Sequence, residues 1–327
     1  MRRAVFLLMV LILLSGIPWA RAEKPVVIVS IAPLGEIVKE ALGDSVEVEV
    51  LVPMGVDPHE YQLTPEQVEK ARRAAVIVTT GGHLPAEKKL RELEGNGEIE
   101  ARVLWLDDYT RYGFRFLNKG WMEGRNEHGT WMDPTNALAI ARATVEALSE
   151  ADPSNAPSYM EAYSSFEKRV EEIVDAYSEV FERLGKESAV VELPAHQYVL
   201  EWMGVESVAA VKPEEELPAR EVDSLLPVAE KADLIVYTSS SPDSLREAAL
   251  ELSKRSGKPI ADVTYMWSGK PYTTVLEENA ASVIAALAKG EKERVVRGSG
   301  GLSPIYVLLG GIVGLTFGFA IGTFLRE

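Results

Sequence analysis

Short runs of β-branched residues alternate with stretches of helical periodicity along most of this chain. From residue 23 to about Leu106 the order is PVVIVSI, a helical stretch over 35–42, VEVEVLV, a second helical stretch, AAVIVTT and ARVLWL. Strands that alternate with helices in this way predict a parallel sheet flanked by helices. The pattern returns in the second half, with strands at SAVVEL, SVAAV, DLIVYTS and KPIADV and helices between them. Between the halves lies the longest helical signal. Tyr163, Phe166, Val170, Ile173, Val174, Tyr177, Phe181 and Leu184 recur at three- and four-residue steps, which puts one apolar stripe on a helix over 158–184, stopped by Gly185. Thr64-Pro65 with Gln67, Asp133-Pro134 and Ser241-Pro242 read as helix starts. The stretch from Asp107 to Gly129 has no periodicity and reads as a long surface loop, a place where function often resides.

This patterning predicts an α/β protein of two lobes, each a parallel sheet flanked by helices, joined by one long rigid interlobe helix and followed by a C-terminal transmembrane helix. The boundaries are an N-terminal lobe at 23–157, the interlobe helix at 158–185 and a C-terminal lobe at 186–290. A linker follows at 291–301. Residues 1–22 have two arginines, an apolar core and small residues at Ala20 and Ala22, the layout of a secretory signal peptide. The run 302–325 is uncharged and long enough for a helix to cross a bilayer as an anchor. Within it Gly310, Gly314, Gly318 and Gly322 recur every four residues, a face on which another helix can pack. The expected location is the cell membrane, single-pass, with the body on the extracytoplasmic side.

Composition narrows the chemistry. The net charge of −16 argues against nucleic acid, which requires a basic surface, and suits a receptor for cations, although acidity alone also keeps an exported protein soluble. With no cysteine in 327 residues, a metal has only nitrogen and oxygen ligands to draw on. The four histidines, His59, His83, His128 and His196, each fall after a predicted strand or in the long loop, the positions that face a cleft in α/β folds.

His59 lies in PMGVDPHEYQLTPEQ, on a proline-stiffened turn before the capped helix. This segment resembles the signature of the zinc- and manganese-specific solute-binding proteins of ABC importers, G-x-D-P-H-x-Y-x-x-T-P, through Gly55, Asp57, Pro58, His59, Tyr61, Thr64 and Pro65. HGTWMDPTNALAIA is similar to a second stretch of that family, through Trp131, Asp133, Pro134, Asn136 and Ala137, but two residues separate His128 from Trp131 where the family has one. A bulge is therefore needed for His128 to reach a metal. ELPAHQYVLEWMG matches a third stretch at Ala195, Tyr198 and Gly204, with Leu193 where the family has its third histidine. KPIADVTYMW resembles the final strand, whose aspartate is Asp262 here.

The resemblance spans about Pro25 to Lys289 and implies a receptor, not an enzyme. It would capture a divalent ion, Zn²⁺ first and Mn²⁺ next, between the lobes and deliver it to an ABC permease with its cytoplasmic ATPase. The implied ligands are His59, His128, His196 and Asp262, with His83 and Glu192 as alternatives to His196 for the family histidine replaced by Leu193. Two rivals stand beside this reading. One is a secreted metal-dependent hydrolase, which lacks an H-E-x-x-H motif here. The other is a tethered adhesion or sensor protein with a degenerate metal site.

Overall fold

The computed structural model describes residues 24–297 apart from 119, 123, 186 and 214–217, with backbone alone for 291–297. The expected signal peptide at 1–22 and the expected anchor at 302–325, with its four spaced glycines, lie outside the described residues. Among the described residues no helix is long and apolar enough to cross a membrane.

In the first lobe, strands β1 (Val26–Val29), β2 (Glu47–Val50), β3 (Val76–Val78) and β4 (Arg102–Leu104) form a parallel sheet in the order β2-β1-β3-β4. Helices α1 (Ala32–Leu42), α2 (Pro65–Ala71), α3 (Pro85–Gly95) and the short α4 (Leu106–Thr110) connect and follow them. The central strands β1 and β3 are unbroken hydrophobic runs because helices cover both faces. The edge strand β2, EVEV, leaves Glu47 exposed, a charge that discourages pairing with another chain.

The second lobe repeats the plan. Strands β5 (Ser188–Val191), β6 (Glu206–Ala210), β7 (Leu234–Tyr237) and β8 (Ile260–Asp262) make a parallel sheet ordered β6-β5-β7-β8, with α7 (His196–Glu201), α8 (Val222–Ala229) and α9 (Asp243–Ser256) between strands. In both orders the first strand of the lobe lies inside the sheet, so consecutive connections leave in opposite directions. The carboxyl ends beside that reversal form a crevice, the usual binding position in such sheets.

Helices α5 (Pro134–Ala151), α6 (Ala156–Leu184) and α10 (Tyr272–Arg297) tie the lobes together. At 29 residues, α6 is about 44 Å long. It buries Tyr159, Tyr163, Phe166, Val170 and Phe181, so the stripe read from the sequence is the face that packs. The largest core cluster takes in these residues and apolar side chains of both lobes, while each lobe keeps a separate core on the far face of its sheet. Glu40 of α1 reaches the start of α10, accepting from Thr273 N at 3.0 Å and from Thr273 Oγ1 at 2.5 Å. A carboxylate at a helix N-terminus meets unpaired N–H groups and the positive end of the helix dipole.

Two local expectations change. The stretch 107–129 is not a free surface loop. Its first residues belong to α4, and Tyr109, Phe114 and Leu117 are buried. Tyr109 donates to the Thr79 carbonyl at 2.8 Å and accepts from Thr79 N at 3.1 Å, so aromatic residues without periodicity still fill core space. Ser241 is not a helix cap either. Its hydroxyl binds the Glu192 carboxylate and the Thr238 carbonyl, and α9 begins at Asp243 with no side-chain cap.

Phe166 is fully buried in α6 and packs beside Tyr272 of α10, with ring centroids 6.2 Å apart. Phe166→Ala should therefore lower unfolding stability by about 3–5 kcal/mol, read as a reduced urea midpoint.

Candidate metal centre

Between the carboxyl ends of the two sheets is a cleft of about 380 Å³. His59, His83 and His128 line it from one side, and Leu193, Lys212, Tyr265 and Met266 from the other. Each loop that carries one of these histidines is held by its own hydrogen bonds.

His59 follows β2. Asp57 Oδ1 accepts from His59 N at 2.9 Å, a side-chain turn typical of aspartate, and Pro58 fixes the residue between. Downstream, Thr64 and Gln67 form a full capping box at the start of α2. Gln67 also accepts from the Tyr61 hydroxyl at 3.0 Å and donates to the Leu51 carbonyl at 2.5 Å. Both ends of the loop are thereby fastened to β2 and α2.

His83 follows β3 through Gly81 and Gly82, whose φ values of 124° and 109° suit glycine alone. A Cβ on Gly82 would also lie 2.5 Å from the Arg91 guanidinium. His83 Nδ1 is 3.2 Å from Thr80 Oγ1. Behind Thr80 sits the buried Glu87, and burial raises its carboxyl pKa despite the donors around it.

His128 is supported from the opposite lobe. Its N–H donates to Asn126 Oδ1 at 3.0 Å, and the buried Asn126 Nδ2 donates to the Pro194 carbonyl and to Gln197 Oε1, both at 2.9 Å. Tyr198 donates to the Asn126 carbonyl and accepts from Leu117 N at 3.0 Å. Gly129, with φ 75°, packs so closely that an added Cβ would lie 2.6 Å from the Ala195 Cβ. This left-handed residue and the 3₁₀ turn Thr130–Met132 absorb the extra residue before Trp131. Asp133 then caps α5 by accepting from Thr135 N and Asn136 N.

The three rings converge. Centroids are 5.4 Å apart for His59 and His128, 5.8 Å for His59 and His83, and 6.0 Å for His83 and His128. Each offers one nitrogen within 4.8 Å of the other two. Tetrahedral zinc, with bonds of about 2.0–2.1 Å to nitrogen, puts its donors roughly 3.4 Å apart, so small ring rotations would complete a three-nitrogen shell.

His196 and Asp262, read from the sequence as ligands, do not belong to this group. His196 begins α7 with its side chain fully buried, edge-on to Tyr265 at 5.7 Å, and neither ring nitrogen has a hydrogen-bond partner among the described residues. Desolvation pushes its pKa down to about 3. Asp262 is exposed at the end of β8 and accepts from Ser239 N at 2.9 Å. Glu192 is buried and accepts from Thr238 N at 2.9 Å and from Ser241. Burial raises its pKa. The segment ELPAHQY thus places Leu193 in the cleft wall and uses Pro194, Gln197 and Tyr198 to hold the His128 loop. His83, an alternative in the sequence reading, is the third member of the cluster, and what the sequence offered for it was its place just after a strand.

The family model described as ZnuA, the periplasmic component A of the zinc-uptake complex, matches residues 27–286. The iron ABC transporter substrate-binding lipoprotein MtsA of Streptococcus pyogenes serotype M1 is 26% identical over 306 residues, covering 84% of this chain and 93% of that protein. The metal ABC transporter substrate-binding lipoprotein SloC of Streptococcus mutans is 23% identical over 273 residues, covering 80% and 89%. A crystal structure of ZnuA superposes with a TM-score of 0.67 at 19% identity, covering 81% of this chain and all of that one, which is a likeness of fold.

The state of His196 predicts an acid-dependent stability. Between pH 6.5 and about 3 the unfolded chain binds a proton that the folded chain refuses, so stability falls as pH drops through this window. At pH 5 the loss from this group is about 2 kcal/mol. His196→Leu should show a drop in urea-unfolding free energy from pH 7 to pH 5 that is smaller by about that amount.

Proposed function

The chain belongs to the ZnuA family of substrate-binding receptors of metal ABC transporters, and from that premise we propose that it captures Zn²⁺ through His59, His83 and His128. As a member of this family it is a receptor, not an enzyme. The observation that carries the proposal is the convergence of three imidazoles from three separate strand-end loops, each offering a nitrogen within 4.8 Å of the others.

Donor chemistry favours zinc. Three neutral nitrogens with no carboxylate in the group suit Zn²⁺, with a fourth position left for water or another oxygen donor. Manganese prefers oxygen-rich, higher-coordinate shells, and among the described residues no carboxylate joins the three imidazoles. Iron, the metal named for MtsA, is the next to test, since imidazole also suits it. The receptor would hand the ion to an ABC permease powered by a cytoplasmic ATPase. The uncharged run at 302–325 would hold the body at the outer face of the membrane.

Calorimetric titration of the metal-stripped protein with Zn²⁺, Fe²⁺ and Mn²⁺ tests this reading. The expected order is zinc tightest, with a dissociation constant well below 10 μM, roughly the level at which capture of a trace ion fails. His59→Ala, His83→Ala and His128→Ala should each weaken zinc by about 100-fold or more, a loss of roughly 2.7 kcal/mol. His196→Leu and Asp262→Asn should stay within about threefold. Zinc binding that survives His83→Ala and is lost in Asp262→Asn would restore the ligand set first read from the sequence.

A further inference from the structure

Glu87 and Thr80 have no direct place in a metal shell, yet they occupy a fully buried position behind one of the three imidazoles. Glu87 is 0% exposed, in the first turn of α3. Its Oε1 accepts from Thr80 N at 2.6 Å, and its Oε2 accepts from Gly82 N and from Thr80 Oγ1, both at 2.9 Å. These three donors fold the Thr80–Gly82 turn around the carboxylate. The turn ends at His83, whose Nδ1 is 3.2 Å from Thr80 Oγ1.

We propose that Thr80 and Glu87 are positioning residues that fix the tautomer of His83, holding its proton on Nδ1 and leaving the Nε2 lone pair as the metal donor. The proposal rests on the His59–His83–His128 reading above. A hydroxyl has one proton to give and two lone pairs. With the backbone N–H groups of Thr80 and Gly82 aimed one at each of its oxygens, the Glu87 carboxyl is held as an acceptor, so the Thr80 proton goes to Glu87 Oε2. What Thr80 turns to His83 is then a lone pair, and only an N–H can meet it. A neutral imidazole has one N–H, so with Nδ1 protonated, Nε2 is bare. Metal-bound histidines are commonly oriented by an acceptor on the other ring nitrogen. Here the acceptor is a hydroxyl whose own proton is held by a buried carboxylate. The turn through Gly81 and Gly82 makes this geometry reachable within four residues of Thr80.

The arrangement differs from the support given to the other two imidazoles. The support described for His59 and His128 engages their backbone N–H groups, held by Asp57 Oδ1 and Asn126 Oδ1.

The test uses the full chain in detergent, labelled with ¹⁵N-histidine and free of metal, with the His83 signals assigned by their loss in His83→Gln. Ring-nitrogen shifts are expected to show the Nδ1–H tautomer for His83 in the wild type. Thr80→Val, which keeps the backbone N–H to Glu87 and removes the hydroxyl, should move His83 towards the Nε2–H form and weaken Zn²⁺ by about 10- to 100-fold. Thr80→Ser should retain the wild-type tautomer and affinity. A wild-type His83 with its proton on Nε2, or a Thr80→Val protein with unchanged tautomer and zinc affinity, overturns the proposal. Because the tautomer is read without metal, a wild type that shows Nδ1–H but takes up no zinc would overturn the receptor chemistry and leave the Thr80–Glu87 assignment supported.

Discussion

Three imidazoles that must share one small volume become like charges to one another once protonated. Such a cluster persists only if each ring is delivered by a backbone that is fixed independently. The cleft meets this constraint three times over. Asp57, Pro58 and the Thr64–Gln67 capping box hold the first loop. The Glu87-centred turn holds the second. Asn126, Tyr198 and the close approach of Gly129 to Ala195 hold the third. Much of the polar chemistry buried near the cleft serves this delivery.

The two lobes share a device that only one of them turns towards a metal. In each, the third strand of the lobe is followed within two residues by a threonine whose N–H is bound by a buried glutamate, Thr80 with Glu87 and Thr238 with Glu192. A buried carboxylate is costly without such donors, and at both sites the donors come from a turn that the carboxylate itself shapes. In the first lobe the turn leads to His83. In the second it leads through Ser239, Ser240 and Ser241, none of which is a strong ligand for zinc. The plan is common to the lobes and the chemistry is not.

Much of the architecture was legible in the chain. Unbroken apolar strands, the long stripe from Tyr163 to Leu184 and the Thr64 and Asp133 caps are local patterns, and local patterns survive into the fold. His59 was legible for the same reason, since proline, aspartate and a capped helix specify its turn within a few residues. The third member of the cluster was harder to read because its identity depends on contacts far apart in sequence. His196 follows the place of a missing family histidine, yet α7 turns its ring into the interior against Tyr265. His83 gains its place from Gly81 and Gly82, whose left-handed backbone directs the chain back to the cleft. Asp262 sits where the resemblance puts it and is engaged by the backbone of Ser239.

The loop bearing His128 is fastened by hydrogen bonds and by the Gly129–Ala195 contact to the second lobe, whereas His59 and His83 are fastened to the first. A cation gripped by all three rings would therefore span the seam between two mechanical bodies, although no ring is rooted in the second lobe's sheet. Any hinge motion that parts the lobes drags one imidazole away from the other two and strips the ion of a donor. Occupancy and hinge angle then become one variable, so a membrane partner that pries the lobes apart also loosens the ion.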